Sequence, residues 1–413
     1  MEKARSPGRL AWRRFRRNIP AMIGLGWLLL CALVAMFAYP CMPDDTHNGN
    51  FQIVELPKQQ PGTAYTLILR PNKVLQPAPG FLAYLVGGRP DNYKPIPAQG
   101  RGSILLRADT LSYLDLRGRR QAALLPELVL GLDKVGPQPR RWKQQTGKPY
   151  LIGSDSSLQY MSDSTAAVTT ISLRSLQTRF WEEHVREGHF WLGSDAAGRD
   201  VLSRLLLGTR VSMGIGLMAV LVSLWLGVGL GAIAGFFRGR VDRLIMWFVS
   251  VTWSIPALLL AISLAFVMGK GIWQLFLAIG ISSWVEVARI VRGRIFSLRE
   301  MQFVEATHAL GYRWPRVVFR HILPNVLSPL IIIASANFAA AILMEAGLSF
   351  LGVGVQPPVP SWGSMIKEGY AQIMFDSGIW LAIFPGLAII MMVVSLNLVG
   401  FGLRDALDPK HGG

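Results

Sequence analysis

Cysteine and acidic residues are scarce in this sequence, with two Cys in 413 residues and 25 Asp and Glu against 42 Lys and Arg. Cys31 and Cys41 are poor candidates for a disulfide framework, and nothing around them suggests a metal site. The run LLLC ending at Cys31 lacks the small residue of a lipoprotein signal. Enzyme constellations are missing as well. There is no HExxH, no paired CxxC, no GxSxG and no phosphate-cradling GxxxxGK[ST]. The chain therefore carries no catalytic residues and no cofactor site of its own, and any ATP it depends on must bind to another chain. Internal repeats and low-complexity tracts are absent too.

Charge is the scarcest commodity, at 16% of residues, and whole stretches have none. Ala21–Pro43, Val211–Phe237, Leu244–Gly269, Ile322–Met344 and Ser377–Leu403 each reach the roughly 20 residues that cross a bilayer as helix. A sixth stretch, Gly271–Val291, is interrupted by Glu286 and Arg289. An all-α polytopic membrane protein with about six spans is expected. The first stretch is an anchor rather than a cleaved signal, because Tyr39, Pro40, Cys41 and Met42 follow it instead of a small-residue cleavage pattern.

The formal charge of +17 raises nucleic acid as a partner, but the placement of the basic residues excludes it. Lys3, Arg5, Arg9, Arg13, Arg14, Arg16 and Arg17 precede the first span, and Arg238, Arg240 and Arg243 separate the second from the third. Arg289 to Arg320 crowd the loop between the fourth and fifth. The opposite short connections hold only Lys270 and Lys367, so the positive-inside bias puts both termini in the cytoplasm and makes membrane lipid the surrounding partner.

Three regions follow: a basic N-terminus and first span (1–43), a polar insertion (44–190) and a five-helix core (191–413). The insertion is long enough to fold by itself and falls outside the cytoplasm. Its segments FQIVEL, AYTLILR, GFLAYLV and GSILLRADTLSYLDL alternate with PGT, PAPG and AQGRG, which predicts a small β-rich domain. Near its end Leu173, Leu176, Phe180 and His184 recur at helical spacing, a stripe that reads as core.

The loop at 292–323 is too polar for lipid and well punctuated. Glu300–Leu310 holds good helix formers, and Gly311 stands where a chain leaving a helix needs the left-handed region. Pro315 suits the first turn of a following helix that runs to His321, and Pro324 opens the fifth span by the same logic. A helix, a tight turn and a helix feeding into the membrane are expected.

With its glutamate, its glycine six residues later and its ILP ending, EATHALGYRWPRVVFRHILP resembles the EAA loop of ABC importer permeases. Glu305, Ala306, Gly311, Ile322, Leu323 and Pro324 match, while Thr307 stands where the family usually has a second alanine. WRRFRRNIPAMIGLG, HFWLGSDAAGRDVLSRLLLGTRVS, LSFLGVGVQPPVPSWGSMI and GLRDALDPK also resemble the second permease subunit of dipeptide, oligopeptide and nickel importers, in matching chain order. The insertion is not covered by the resemblance. The resemblance implies a type I ABC importer permease fold in the bacterial inner membrane. It also implies a second homologous permease, two cytoplasmic ATPases that hold ATP and Mg, and an extracytoplasmic solute-binding protein. Peptides are the expected cargo, with nickel or another small solute as the alternative. A membrane sensor with an outer domain, or a membrane-embedded enzyme, leaves the loop unexplained.

Single residues yield weaker expectations. Glu286 and Arg289 are spaced for an i, i+3 ion pair, with a gate or path role as the alternative. Glu345 falls at a span end, where a solvated carboxylate costs little. Asp195, Arg199 and Asp200 form either a capped helix start, with Asp195 accepting first-turn amides, or part of an outer gate. Trp362 reads as an interfacial anchor. Gly227, Gly229, Gly231 and Gly235 put glycines on one helix face at four-residue spacing and permit close packing, and Pro256, Pro329 and Pro385 kink the spans that hold them.

Overall fold

The computed structural model describes residues 7–72, 75–130, 132, 150–153, 157–161, 168–373 and 378–407. Lys3, Arg5 and the final DPK of the C-terminal motif lie outside them. The described chain opens with α1 (Pro7–Phe15), α2 (Ile19–Met36) and the short α3 (Ala38–Cys41). Asn18 caps α2, its side chain accepting the Ala21 amide at 3.1 Å, and Pro20 sits in the first turn, where its missing N–H costs nothing.

A β-rich unit then forms from Tyr39–Arg204 together with Gln372–Trp380. Its first sheet joins β1 (Thr63–Pro71) to β2 (Tyr93–Ala98), with the helix α4 (Phe81–Gly87) between them in sequence. Next come β3 (Leu105–Arg107), β4 (Thr110–Leu114) and β5 (Arg120–Leu124), which make a second antiparallel sheet ahead of α5 (Leu125–Leu130). A third consists of β6 (Tyr150–Ile152), β7 (Ser157–Met161) and β8 (Val168–Ser172). The helix α6 (Leu173–Arg179) leads through a π-helical turn at Phe180–His184 into β9 (Val185–Phe190). That strand returns to pair with β1, Thr63 opposite Phe190 and Ile68 opposite Val185.

The β1 strand is the centre of this unit because it is buried on both faces. Side chains alternate along a strand, so Leu67 and Leu69 pack with Ile53, Leu56 and Phe190, while Ile68 faces Ile104, Leu111, Leu125, Leu158, Leu176 and Phe180. The helical stripe at Leu176 and Phe180 is thus core, and buried His184 is tied by its Nδ1 to the Leu69 carbonyl at 2.7 Å. Two expected strands are not strands. GFLAYLV is the helix α4, whose Leu and Ala are good helix formers and which has no ladder partner among the described residues. FQIVEL has no ladder partner among the described residues and contributes Ile53 and Leu56, with Phe51 packed beside them, to the core.

The second unit holds the other helices: α7 (Val201–Phe237), α8 (Gly239–Ser254), α9 (Ala257–Met268), α10 (Ile272–Leu298), α11 (Gln302–Ala309), α12 (Trp314–Val317), α13 (Leu323–Phe350), α14 (Trp362–Ile373) and α15 (Trp380–Leu407). Among the described residues five helices are long and apolar enough to span: α2, α7, α10, the continuous run Trp314–Phe350, and α15. The pair α8 and α9 would make six as one span, and it bends by 94° at the proline expected to kink it. Pro256 is the cause. It cannot donate to the ladder and holds φ −53° with an extended ψ of 127°, which ends one helix and starts the next. Pro329 and Pro385 stay inside α13 and α15.

Glycine spacing sets how α7 and α10 meet. A Cβ on Gly227, Gly231 or Gly235 would lie 2.5 Å from Val287, 2.5 Å from the Ala288 carbonyl and 2.9 Å from the Arg292 carbonyl, respectively. Such contacts exist only if both backbones approach without side chains. Gly229, on another face, has nothing within 4 Å. Replacing Gly231 by Leu should therefore cost about 1–3 kcal/mol of overpacking and lower the unfolding midpoint of the detergent-solubilised protein. Gly229→Ala should leave that midpoint unchanged or raise it. Equal midpoints for Gly231→Leu and the unchanged protein would remove this contact as the determinant of the α7–α10 packing.

Candidate functional site

The loop between α10 and α13 is a rigid knuckle. Helix α11 ends in a Schellman arrangement, with the Tyr312 amide donating back to the Thr307 carbonyl at 3.1 Å and Gly311 at φ +73°. Arg313 is extended ahead of α12, and Pro315 occupies its first turn. A π-helical turn at Val318–Ile322 joins α12 to α13. It sits where Pro324 has no N–H for the preceding turn, so the ladder shifts register instead of breaking. The helix expected to stop at His321 thus continues into the span.

One side of the knuckle is fastened. Val304, Val317, Val318 and Ile322 are buried against Phe236 of α7, Val291 and Ile295 of α10, and Val326 of α13. The other side is bare: Glu305, Ala306, Gly311, Pro315 and Pro324 are exposed, as are Leu310, Trp314 and Phe319. Leu323 is intermediate. The predicted residues therefore divide into a surface set and the anchor Ile322. Thr307, which departs from the family pattern, is buried, and its hydroxyl donates to the Val304 carbonyl at 2.6 Å. Arg238 reinforces the base of the loop by pairing with Glu300 at 2.7 Å, and the Arg299 guanidinium donates to the Phe236 carbonyl.

Asp195, Arg199 and Asp200 are brought together, but with partners that sequence reasoning did not name. The Asp195 carboxylate accepts the Ala197 and Arg199 amides at 2.8 and 2.9 Å, then Arg199 Nε and Arg204 Nη1, both at 2.6 Å. Asp195 is thus the centre of a turn rather than a cap on α7. The cap is Asp200, whose Oδ2 accepts the Ser203 amide at 2.7 Å and its hydroxyl at 2.5 Å. Ser203 Oγ in turn accepts the Asp44 amide at 2.8 Å. Burial pushes the Asp200 and Asp44 carboxyls above the ordinary range, against the pull of hydrogen bonds from Ser203 and Thr46.

Glu345 contradicts its expectation outright. It is fully buried within α13, not solvated at a border. Its Oε1 accepts from Ser349 Oγ at 2.7 Å and its Oε2 from Ser212 Oγ of α7 at 3.0 Å. Ser212 Oγ also accepts the Trp362 amide at 3.2 Å, and Ser349 Oγ accepts the Val355 amide at 3.2 Å. One carboxylate therefore ties α7, α13, the 351–361 connection and the start of α14. Trp362 is correspondingly core, only 2% exposed, with its ring N–H on the Leu205 carbonyl at 3.2 Å, and not an interfacial anchor. The one sequence signal was a glutamate inside an apolar run. Its partners lie too far apart in the chain to be paired by inspection. The expected Glu286–Arg289 ion pair is also absent among the described residues. Glu286 is exposed, and the Arg289 guanidinium lies over the Trp253 ring, 3.0 Å from its centre.

Removing the Glu345 carboxylate should leave two buried hydroxyls without an acceptor, at about 1–3 kcal/mol each. Glu345→Ala should lower the thermal midpoint by several degrees, and Glu345→Gln, which keeps an acceptor oxygen, should recover part of the loss. A Gln variant no better than Ala would show that the hydrogen bonds do not matter.

The family described as "binding-protein-dependent transport system inner membrane component" matches residues 227–412, and "N-terminal TM domain of oligopeptide transport permease C" matches residues 6–61. Residues 62–226 lie outside both matches. The glutathione transport system permease protein GsiD of Pectobacterium atrosepticum is 42% identical over 220 residues, which cover 53% of this chain and 72% of that protein. The oligopeptide transport system permease protein OppC of Haemophilus influenzae is 40% identical over 224 residues, 54% of this chain and 71% of that protein. Among solved structures, a chain of the inward-facing MetNI methionine ABC transporter is 17% identical with a TM-score of 0.41, covering 49% of this chain and 96% of that one. The chain thus belongs to the binding-protein-dependent inner membrane components, the non-catalytic permease subunits of ABC importers that work with an ATPase and a binding protein.

Proposed function

We propose that this permease forms half of a translocation path for peptides and takes its driving force through the 292–323 knuckle. The carrying observation is mechanical. The exposed apolar face around Leu310 and Phe319 suits a groove on a partner, while the buried face and the unbroken run Trp314–Phe350 pass any displacement straight into a span. On this reading two cytoplasmic ATPases hold ATP and Mg, one engaging Glu305, Ala306, Gly311 and Pro315, and Ile322 and Leu323 couple the docked surface to α13.

A second homologous permease completes the path. The basic loops and both termini face the cytoplasm, the 44–190 insertion faces outward, and a solute-binding protein delivers cargo there. Peptides are favoured over nickel because the relatives carry the names of glutathione and oligopeptide systems. If Asp195, Arg199 and Asp200 serve the outer gate, they do so as a fixed post, since every one of them is wired into the buried network with Ser203 and Arg204. Family membership leaves no room for the sensor and membrane-enzyme alternatives.

The turn at Gly311 supplies the test. Its φ of +73° is strained for a β-branched residue, at about 1–3 kcal/mol. No atom crowds its missing side chain, so a substitution acts through the backbone alone. Gly311→Val should reduce ATPase co-purification or uncouple ATP hydrolysis from uptake, while Gly311→Asn, which tolerates the left-handed region, should retain most of both. Normal co-purification and uptake in the Val variant would sink the role given to this turn.

A further inference from the structure

An open groove of about 660 Å³ lies between α10 and α13 and reaches Arg404 of α15. Its α10 wall is formed by positions 286, 289, 290, 293, 294 and 297, the i, i+3, i+4, i+7, i+8 and i+11 places of one helical face. Glu286, Arg294 and Arg404 are exposed in it. Among the described residues none of these three makes an ion pair or side-chain hydrogen bond. Arg289 has its Nε buried without an acceptor. Opposite stand the small or apolar Pro329, Ile333 and Ala336 of α13.

Charges on the open face of a spanning helix are costly against lipid, and proteins carry them there where the face borders water or a polar occupant. A phospholipid headgroup would account for Arg294 and Arg404 near the helix ends. It would not account for a carboxylate at Glu286, near the middle of α10. From Glu286 to Arg294 the helix rises about 12 Å, the length of three to four extended residues. An amine at one end and a carboxylate at the other would find opposite charges along the groove.

We propose that this groove is the chain's own wall of the solute path and that it recognises the charged ends of a short zwitterionic peptide. Glu286 accepts the free amine, and Arg289, Arg294 and Arg404 receive the terminal carboxylate. The assignment rests on the peptide-import reading above, and its test separates the two. The complex is assembled from the full chain and its partner subunits, with Cys31→Ser and Cys41→Ser as background. Glu286→Cys and Ala336→Cys are then exposed to a charged, membrane-impermeant thiol reagent. Both cysteines should react, with rates that change when nucleotide is added. Failure of both to react overturns the water-lined wall whatever the cargo is.

In a second arm, tetra-alanine and its C-terminal amide are presented on a binding protein shown beforehand to hold both. Arg289→Gln with Arg294→Gln should slow uptake of the free-ended probe about tenfold, the scale of a lost charge-assisted contact, and leave the amide's uptake unchanged. Equal slowing of both probes, or of neither, overturns recognition of the carboxylate and leaves a headgroup or a purely structural role. If the unchanged complex imports neither probe, the peptide reading itself fails and the solute assignment falls with it, while the thiol labelling still decides the water-lined wall.

Discussion

Hydrocarbon offers a polar group no partner, and nearly every feature of the helical unit follows from meeting that demand inside the protein. The backbone meets it by helix formation. Where proline withdraws an amide, the chain responds according to place: it bends by 94° at Pro256, shifts into a π-helical turn before Pro324, and continues through Pro329 and Pro385. Side chains meet it by networks. Glu345 is buried with no cationic partner among the described residues, and hydroxyls from two helices supply donors to it, each relaying a backbone amide from the 351–362 segment. The Arg210 guanidinium does the same for the exposed end of α2, donating to the carbonyls of Ala35 and Met36 at 2.6 and 3.0 Å. Against that background Glu286, Arg294 and Arg404, which have no ion pair among the described residues, are the exception that calls for an occupant.

The same economy supports the role proposed for the loop in moving a span. Close approach of α7 and α10 through Gly227, Gly231 and Gly235 leaves little slack between them, and the knuckle is packed against the ends of both through Phe236 and Ile295. Interiors of this kind transmit displacement rather than absorb it. The Schellman turn and the π-helical junction add stiffness at the two places where a polar loop would otherwise flex. The proposed coupling role thus rests on a docking surface fastened to two spans and not on a relay of specific side chains.

Much of this was legible in the sequence, for identifiable reasons. Charge-free runs mark spans because lipid penalises every departure, and Gly311, Pro315 and Pro324 mark the knuckle because each has a backbone preference that few contexts tolerate. What escaped was non-local. GFLAYLV reads equally well as strand or helix, and only the absence of a ladder partner decides it. Glu345 has the same appearance at a span end as at a buried node, and its partners Ser212 and Trp362 are distant in the chain. Arg204 and Ser203, which complete the network around Asp195 and Asp200, lie inside the stretch HFWLGSDAAGRDVLSRLLLGTRVS, but nothing in their spacing told which carboxylate each would meet.

The β-rich unit obeys a different logic, since its register comes from pairing rather than from lipid. Its first and last strands are neighbours: β1 and β9 pair along six residues, so the long excursion between them begins and ends at one place. An insertion with adjacent ends can be lengthened without moving the elements that flank it. The two family matches stop at residue 61 and resume at 227, which places this excursion in the unmatched part. The double burial of β1 then becomes intelligible. The strand that closes the insertion is also shared by both of its cores, with Leu67 and Leu69 on one side and Ile68 on the other, so closure of the ends and folding of the interior are a single event.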